Sequence, residues 1–480
     1  MYYHGRKRIY AKTDDITHAN VWDDLSNALS IHKQNAADID YLYNYYKGDQ
    51  PIYQREKFIR PEINNKICIN RAHEIVSFKR GYLLTEAIQY VRRDRENDLS
   101  EDVKKLNMFM QQEGKVTKDS VLAEWMYICG TGYRIALPKR DVVSRRDTNR
   151  APFEFYTLDP REVFVAHSRE VGNKPVYACI RSKSVADDMM EDNTYTVYTS
   201  DKVFKIVDGA VSSVSDNPLG MIPVIEYPEN YSRLGSFEIV LDILDAISLC
   251  ESNQLDDIEQ VVQSLLVLIG VDLSVKDADG NDKSTIETIR DEGGISIPEG
   301  SDIKYLSMPL NQGTTKQFVS DLEQAWLTIC GMPNRNGGTS TSDTGSAVYL
   351  RDGHSEAELR AMNTQTMWEE SEKEFLRVVL FIMNQVERVN YTENDIIPHF
   401  NRQNTVNLQS KTQSFCEMMS SNWISLDWAL KMSGLPFDVE SCYEDGMKWH
   451  EDQEQKRIQE LQDTMKYEHD DSEDNSDEKS

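Results

Sequence analysis

Residues 235–270, GSFEIVLDILDAISLCESNQLDDIEQVVQSLLVLIG, decide how this chain is built. Ser236 is placed to cap a helix, Glu238 suits its first turn and Gly270 suits its end. Ile239, Ile243, Ile247, Leu255, Ile258, Val262 and Leu265 recur at threes, fours and one doubled interval, the spacing of one helical face. A single helix over this span would be roughly 50 Å long, more than one globular domain needs. It reads as a strut. A second helical pattern, TTKQFVSDLEQAWLTICG at 314–331, sets Phe318, Leu322, Ala325, Trp326 and Ile329 on one face.

Between the two struts, residues 271–305 have β and turn character and hold nine acidic and four basic side chains, too acidic for a DNA grip. After the second comes GMPNRNGGTSTSDTGSAVYLR (331–351), in which almost nothing could serve a core. Such loops are uncommon in compact domains and are usually functional or disordered. A very long helical pattern follows, from Ser346 to about residue 391, with a kink expected at Gly353.

Toward the N-terminus, residues 20 to about 125 are mainly helical. DIDYLYNYYKGDQPIY ends at Gly48 and Pro51, INRAHEIVSFKRGYLL is helical before Gly81, and DSVLAEWMYICGTGYRIAL turns at Gly130-Thr131-Gly132 into a strand. From about 133 to 230 the period shifts toward two, in seven short runs from YRIALP to VSSVSD, closed by the proline-rich NPLGMIPVIEYPEN. This predicts an antiparallel sheet or small sandwich set among helices. The C-terminal part holds three more helical runs and ends in YEHDDSEDNSDEKS, an acidic tail expected to be disordered. No internal repeat is visible.

The balance of 53 Lys+Arg against 81 Asp+Glu, a formal net charge of −28, speaks against a protein that binds nucleic acid by neutralising phosphates. It is compatible with a surface past which a duplex slides. Seven dispersed cysteines without a CxxC read as reduced thiols. The basic start lacks the apolar stretch of a signal peptide, and the longest apolar run, VVQSLLVLIGV at 261–271, is too short to span a bilayer. A soluble intracellular protein is expected.

Motifs for chemistry fail on spacing. KDADGNDKSTIE (276–287) puts its glycine at the fourth position of a calcium loop rather than the sixth, and Asp282 stands where a phosphate loop needs glycine. A hairpin with Asp279-Gly280 at its tip is the plainer reading. GTGYR (130–134) lacks the last glycine of a dinucleotide fingerprint and follows a helix. The nine histidines form no HxH, HxxxH or HExxH. No active site, metal or cofactor is expected, and the chain reads as no enzyme.

The order of these elements resembles the portal proteins of tailed bacteriophages, of the siphophage type of Gram-positive hosts, from about residue 35 to 460. YYKGD, NNKICIN, KRGYLL, GTGYRIAL, LDPREVFV, GMIPVIEYPEN with the SFEIV helix, and ISLDWALKMSGLP…DVESCYEDGMKWHEDQ carry the likeness. It implies an α+β, mainly helical portal fold, with long stem and wing helices and a small β-rich clip insert. Residues 1–235 would form an N-terminal helical and β-rich wing, 236–270 a stem helix, 271–305 the clip and 306–331 the second stem helix. A tunnel loop at 332–345, a long wing helix at 346–391, a helical crown at 392–464 and a disordered acidic tail at 465–480 would follow.

The same resemblance implies function. A ring, usually of twelve subunits, would sit at one capsid vertex as the conduit through which DNA is packaged and ejected. The implied partners are the large terminase subunit, the head-completion adaptor, the major capsid and scaffolding proteins, and double-stranded DNA passing without sequence specificity; no membrane is involved. Assembly would take place in the host cytoplasm. Asn334, Arg335, Asn336, Gly337, Gly338, Thr339, Ser340, Thr341 and Ser342 would face the DNA channel. There the glycines let the loop shift, and Asp343 offsets the single cation of Arg335. Asp277, Asp279, Asp282, Lys283, Glu287, Asp291 and Glu292 of the clip would dock the motor and later the adaptor. The open alternative is a non-enzymatic capsid-associated adaptor or scaffold protein of low oligomeric order.

Overall fold

A two-residue strand, β1 (Ile9–Tyr10), leads into the 27-residue helix α1 (Val21–Lys47), which buries Val21, Leu25, Ala28, Ile39, Leu42 and Tyr45 along one side. The computed structural model describes residues 5–93, 100–182, 194–262, 265–269, 274–276, 282–284, 300, 302–306, 312–334, 354–400, 402, 408–421, 423–433, 435 and 439–477. Two units divide the chain: residues 1–46, 72–239 and 330–480 form one, and residues 47–71 and 240–329 the other.

In the first unit, α2 (Arg71–Leu83), whose first residue belongs to the other unit, runs through Gly81, where the sequence suggested a stop. After β2 (Gln89–Arg92) come α3 (Ser100–Gln112) and α4 (Lys115–Cys129). Gly130 ends α4 at φ 79, and a Cβ there would lie 2.1 Å from the carbonyl oxygen of Arg233. Only glycine fits this turn. GTGYR is therefore a helix stop running into β3 (Thr131–Pro138), as its context in the sequence suggested.

The short helix α5 (Arg140–Arg145) precedes the β-rich stretch: β4 (Phe153–Leu158), β5 (Val163–His167), β6 (Pro175–Ser182), β7 (Thr194–Tyr198), β8 (Lys202–Val207), β9 (Ala210–Asp216) and β10 (Val224–Pro228). These form two sheets. One has the order β1-β5-β6-β7-β8-β9, antiparallel except where Ile9 pairs in parallel with Ala166; the other is β10-β3-β4. Phe164, Tyr177, Val197, Phe204 and Ile206 of the larger sheet pack with Val21, Leu25 and Ala28 of α1. Alternation by two gives the sheet this apolar face. VIEYP, part of the proline-rich stretch that closes the β region, is itself a strand, with Val224 opposite Ile135.

In the second unit, α6 (Leu241–Val262) corrects the single strut predicted to Gly270. Helix gives way to β11 (Leu265–Ile269), whose unbroken LLVLI run has no polar residue to form a wet helical side. It pairs instead with β14 (Asp302–Leu306), Leu265 opposite Leu306 and Ile269 opposite Asp302. Between them, β12 (Ser274–Lys276) and β13 (Asp282–Ser284) form the expected hairpin; Asp279-Gly280 lies outside the described residues. Next is α7 (Gln312–Cys330), close to the second predicted stem helix.

Back in the first unit, α8 (His354–Val386) is the long helix expected there; residues 346–353, including the predicted kink at Gly353, lie outside the described residues. It packs on β3, β4 and β10. A buried charge cluster joins them. Glu372 of α8 lies 3.0 Å from Lys115 and 3.5 Å from Arg134, and accepts hydrogen bonds from the hydroxyls of Tyr90 (2.5 Å) and Tyr227 (2.8 Å). Asp119 pairs with both Lys115 and Arg134, so two cations meet two anions. The rings of Phe155, Tyr227 and Phe375 surround the Arg134 guanidinium at 4.9–5.2 Å.

The predicted helical crown begins instead with a strand, β15 (Ile396–His399), because its Ile-Ile-Pro-His run completes β2, with Ile396 opposite Arg92. Helices α9 (Leu408–Met419), α10 (Leu426–Ser433) and α11 (Val439–Asp477) then match the three helical runs read at the C-terminus. The tail expected to be disordered from residue 465 continues α11 to Asp477. Extending an existing helix avoids the nucleation cost that makes isolated helices marginal. No helix among the described residues is long and apolar enough to cross a membrane.

Candidate functional site

In the second unit, the extended segment NNKICIN (64–70) lies along α6. Backbone N–H groups of Asn65, Ile67 and Ile69 donate to Asp256 Oδ1 (2.8 Å), Ser252 Oγ (2.9 Å) and Ser248 Oγ (3.3 Å). Two residues of extended chain advance about 6.6 Å. Four residues of helix advance about 6 Å. Alternate amides therefore meet side chains at i, i+4 and i+8, and a helix face acts as a strand partner.

Asp256 fastens the end of this ladder. It is almost fully buried, accepts a second bond from the Asn65 amide (2.9 Å), and pairs with Arg55 (3.0 Å) and Lys57 (2.5 Å). Burial pushes its carboxyl up, but Lys57 and the two Asn65 donors outweigh burial and hold it below the usual range. At the other end Arg71 pairs with Glu323 of α7 (2.9 Å) and lies over the Trp326 ring. Asn64 ties the loop internally, its amide donating to the Arg55 carbonyl at 3.0 Å. This explains why both asparagines stand at 64 and 65.

The last residue of α7 belongs to the first unit, where it begins the base of the predicted tunnel loop. Cys330 Sγ donates to the Ser236 carbonyl at 3.6 Å, and burial pushes its thiol up to about 11, so it packs as an inert group. Gly331 has φ 64, and a Cβ there would stand 2.3 Å from Arg360 Cδ. Met332 and Pro333 are buried and Asn334 is half-buried. A cavity of about 20 Å³, room for one water, opens among Lys79, Tyr127, Cys330, Arg360 and Thr364. Nearby, Glu229 accepts from the Ser236 hydroxyl (2.7 Å) and faces Lys79 at 3.8 Å; burial raises its carboxyl to about 7.

Of the channel-loop residues named from the sequence, only Asn334 falls within this base; 335–342 lie outside the described residues. Of the clip residues, Asp282 and Lys283 stand on β13 opposite Lys276 and Val275, while Asp277, Asp279, Glu287, Asp291 and Glu292 lie outside them. Sequence reasoning missed the ladder. Its signal was Ser248, Ser252 and Asp256 at four-residue spacing, a polar stripe with Asp245 and Glu259 at its ends. No cluster of three or more His, Cys, Asp or Glu among the described residues could hold a metal.

No curated protein matches the chain. Among solved structures it is similar to a chain in the neck of an empty GTA particle computed with C6 symmetry, at 11% identity and a TM-score of 0.42, covering 76% of this chain and 90% of that one. It is similar also to a chain in the neck of a native GTA particle computed with C12 symmetry, at 12% identity and a TM-score of 0.40, covering 76% and 89%. The sequence matches a family model described as phage portal protein, SPP1 Gp6-like, over residues 25–467. A match over that much of its length means that the chain belongs to the SPP1 Gp6-like family of phage portal proteins.

Proposed function

We propose that this protein forms a closed ring, of twelve subunits, at one capsid vertex of a phage particle, and that DNA is packaged and ejected through its channel. Family membership supports this reading, and one observation carries the ring. On α7 Trp326 is buried, whereas Phe318 and Ile329, on the apolar face drawn from the sequence, stay exposed at 52% and 39%. Leu322 and Ala325 between them are half-buried. A helix face that keeps Phe318 open beside half-buried Leu322 and Ala325 has room for a partner, and a repeated heterologous contact whose rotation closes generates a ring.

In this reading α6 and α7 are the stem, β11–β14 the clip and its base, 332–345 the tunnel loop, α8 the wing helix and α9–α11 the greater part of the crown. The clip's acidic surface docks the large terminase subunit and then the head-completion adaptor; capsid and scaffolding proteins surround the ring. The protein does no catalysis of its own. Residues 334–342 meet the duplex through exchangeable hydrogen bonds, without reading sequence.

Light scattering coupled to gel filtration, followed by negative-stain imaging, tests the class. Rings with a central channel are expected. A chain that stays monomeric when concentrated with scaffold and capsid proteins returns the choice to the low-order adaptor.

A further inference from the structure

Residues 55–63 of the second unit, REKFIRPEI, form a projection that the fold holds rigid and leaves bare. Phe58 is 100% exposed and Ile59 84% exposed. Yet the loop is tied on both sides. Arg55 bonds the Asn65 carbonyl (2.9 Å) and pairs with Asp256, which Lys57 also reaches; Ile63 N–H closes a turn on the Arg60 carbonyl at 3.0 Å. Arg60 adopts φ 51, a left-handed conformation few non-glycine residues take. A specified backbone therefore presents two large apolar side chains to solvent, where a frayed loop would not.

Charge points to what they meet. Residues 51–71 carry five basic and two acidic side chains, in a chain whose net charge is −28. Helices α6 and α7 carry eight acidic residues and one lysine. On α6, Leu255 and Ile258 lie one turn apart and are exposed at 37% and 43%, with Glu251 on the same side; on α7, Phe318 is open. The unit thus bears an apolar knob with the cation of Arg60 at its tip, and helices that stay acidic after Asp256 and Glu323 have met Arg55, Lys57 and Arg71. Two such patches on one chain are suited to a head-to-tail contact with a second copy.

We infer that Phe58 and Ile59 of one subunit seat against Leu255, Ile258 and Phe318 of the next, with Arg60 facing the acids around them. This deepens the ring reading and rests on it. The knob residues make no contribution to the core of their own chain, so changing them leaves the fold intact.

The test places the photo-cross-linker p-benzoylphenylalanine at position 58 and, separately, makes the Phe58→Ser/Ile59→Ser double variant and Arg60→Glu. Irradiated rings are expected to give inter-subunit adducts on peptides covering residues 249–258 or 316–329. Both variants are expected to keep the wild-type circular dichroism and to need at least tenfold more protein for assembly, with Arg60→Glu less affected at high salt. If wild-type rings form but the adducts map elsewhere or fail to appear, or the variants assemble at wild-type concentration, the knob contact is wrong and the ring stands. If the wild-type chain makes no ring even with capsid and scaffold proteins present, both readings fall.

Discussion

Replacing Arg134 by methionine tests the buried charge cluster that fastens α8 to the β10-β3-β4 sheet. Methionine keeps most of the apolar stem and removes the charge. The wild-type cluster balances Lys115 and Arg134 against Asp119 and Glu372; the variant leaves one cation facing two anions. At an effective dielectric constant of about 20, one pair at the 3.5 Å of Arg134–Glu372 is worth roughly 5 kcal/mol before desolvation is counted. Removing one partner of a buried pair costs about 3–5 kcal/mol in practice. For a unit of this size that corresponds to a fall in Tm of roughly 4–7 °C.

The assay is thermal unfolding, with hydrogen exchange of α4 and α8 amides to localise the loss. Adding Asp119→Leu to Arg134→Met restores one cation to one anion and should recover at least half of the lost stability. The pH dependence follows from sign. Burial pushes the Glu372 carboxyl up, but Lys115, Arg134 and the Tyr90 hydroxyl outweigh it and hold it well below the usual range. Its stabilising share is therefore present above the unfolded value of about 4.5 and is lost as pH falls below it. In Arg134→Met this acid loss begins at higher pH. A change under about 1 kcal/mol, or no recovery in the double variant, would refute the claim that charge balance holds this helix.

Glu229 gives the opposite slope. With its carboxyl raised by burial from 4.5 to about 7, it weakens the fold as pH climbs through that window, so Glu229→Gln should flatten stability between pH 5 and 7 in a pH series of melting curves. Asp256→Ala strips the ladder of its buried anchor beside Arg55 and Lys57, and the Asn65, Ile67 and Ile69 amides should exchange roughly 30-fold faster or more, as a loss of about 2 kcal/mol requires. Deleting Gly337–Ser342 should preserve circular dichroism and ring assembly while lowering packaged DNA in an in vitro packaging assay; loss of the fold would contradict the tunnel-loop reading. Truncation from Tyr467 should move Tm by no more than about 1 °C, because an acidic stretch buries little apolar surface.

Local chemistry made much of this architecture legible in the sequence. Period-two alternation marked the strands β3 to β9, and Gly130 announced a helix stop because a left-handed turn pressed against Arg233 admits no side chain. The Phe318–Ile329 stripe gave α7, and the order of the quoted motifs pointed to the portal family that the match over residues 25–467 bears out. Each alternation, turn or stripe is read within a few neighbouring residues, and the motif order is read along the chain; neither needs knowledge of which distant residues meet.

What the sequence could not determine depends on pairing across long separations. LLVLI continues a helical period until β14, more than thirty residues later, offers it a ladder. Ile396–His399 becomes a strand only because Gln89–Arg92 lies beside it. Lys115 and Asp119 of α4, Arg134 of β3 and Glu372 of α8 read as ordinary charges on three elements, and only tertiary packing brings them out of water into balance. The ladder is the clearest case: Ser248, Ser252 and Asp256 are four residues apart in sequence, and their role appears when an extended segment of matching repeat is laid against them. Periodicity fixes which residues share a face, whereas what that face meets is set by the free energy of the whole fold.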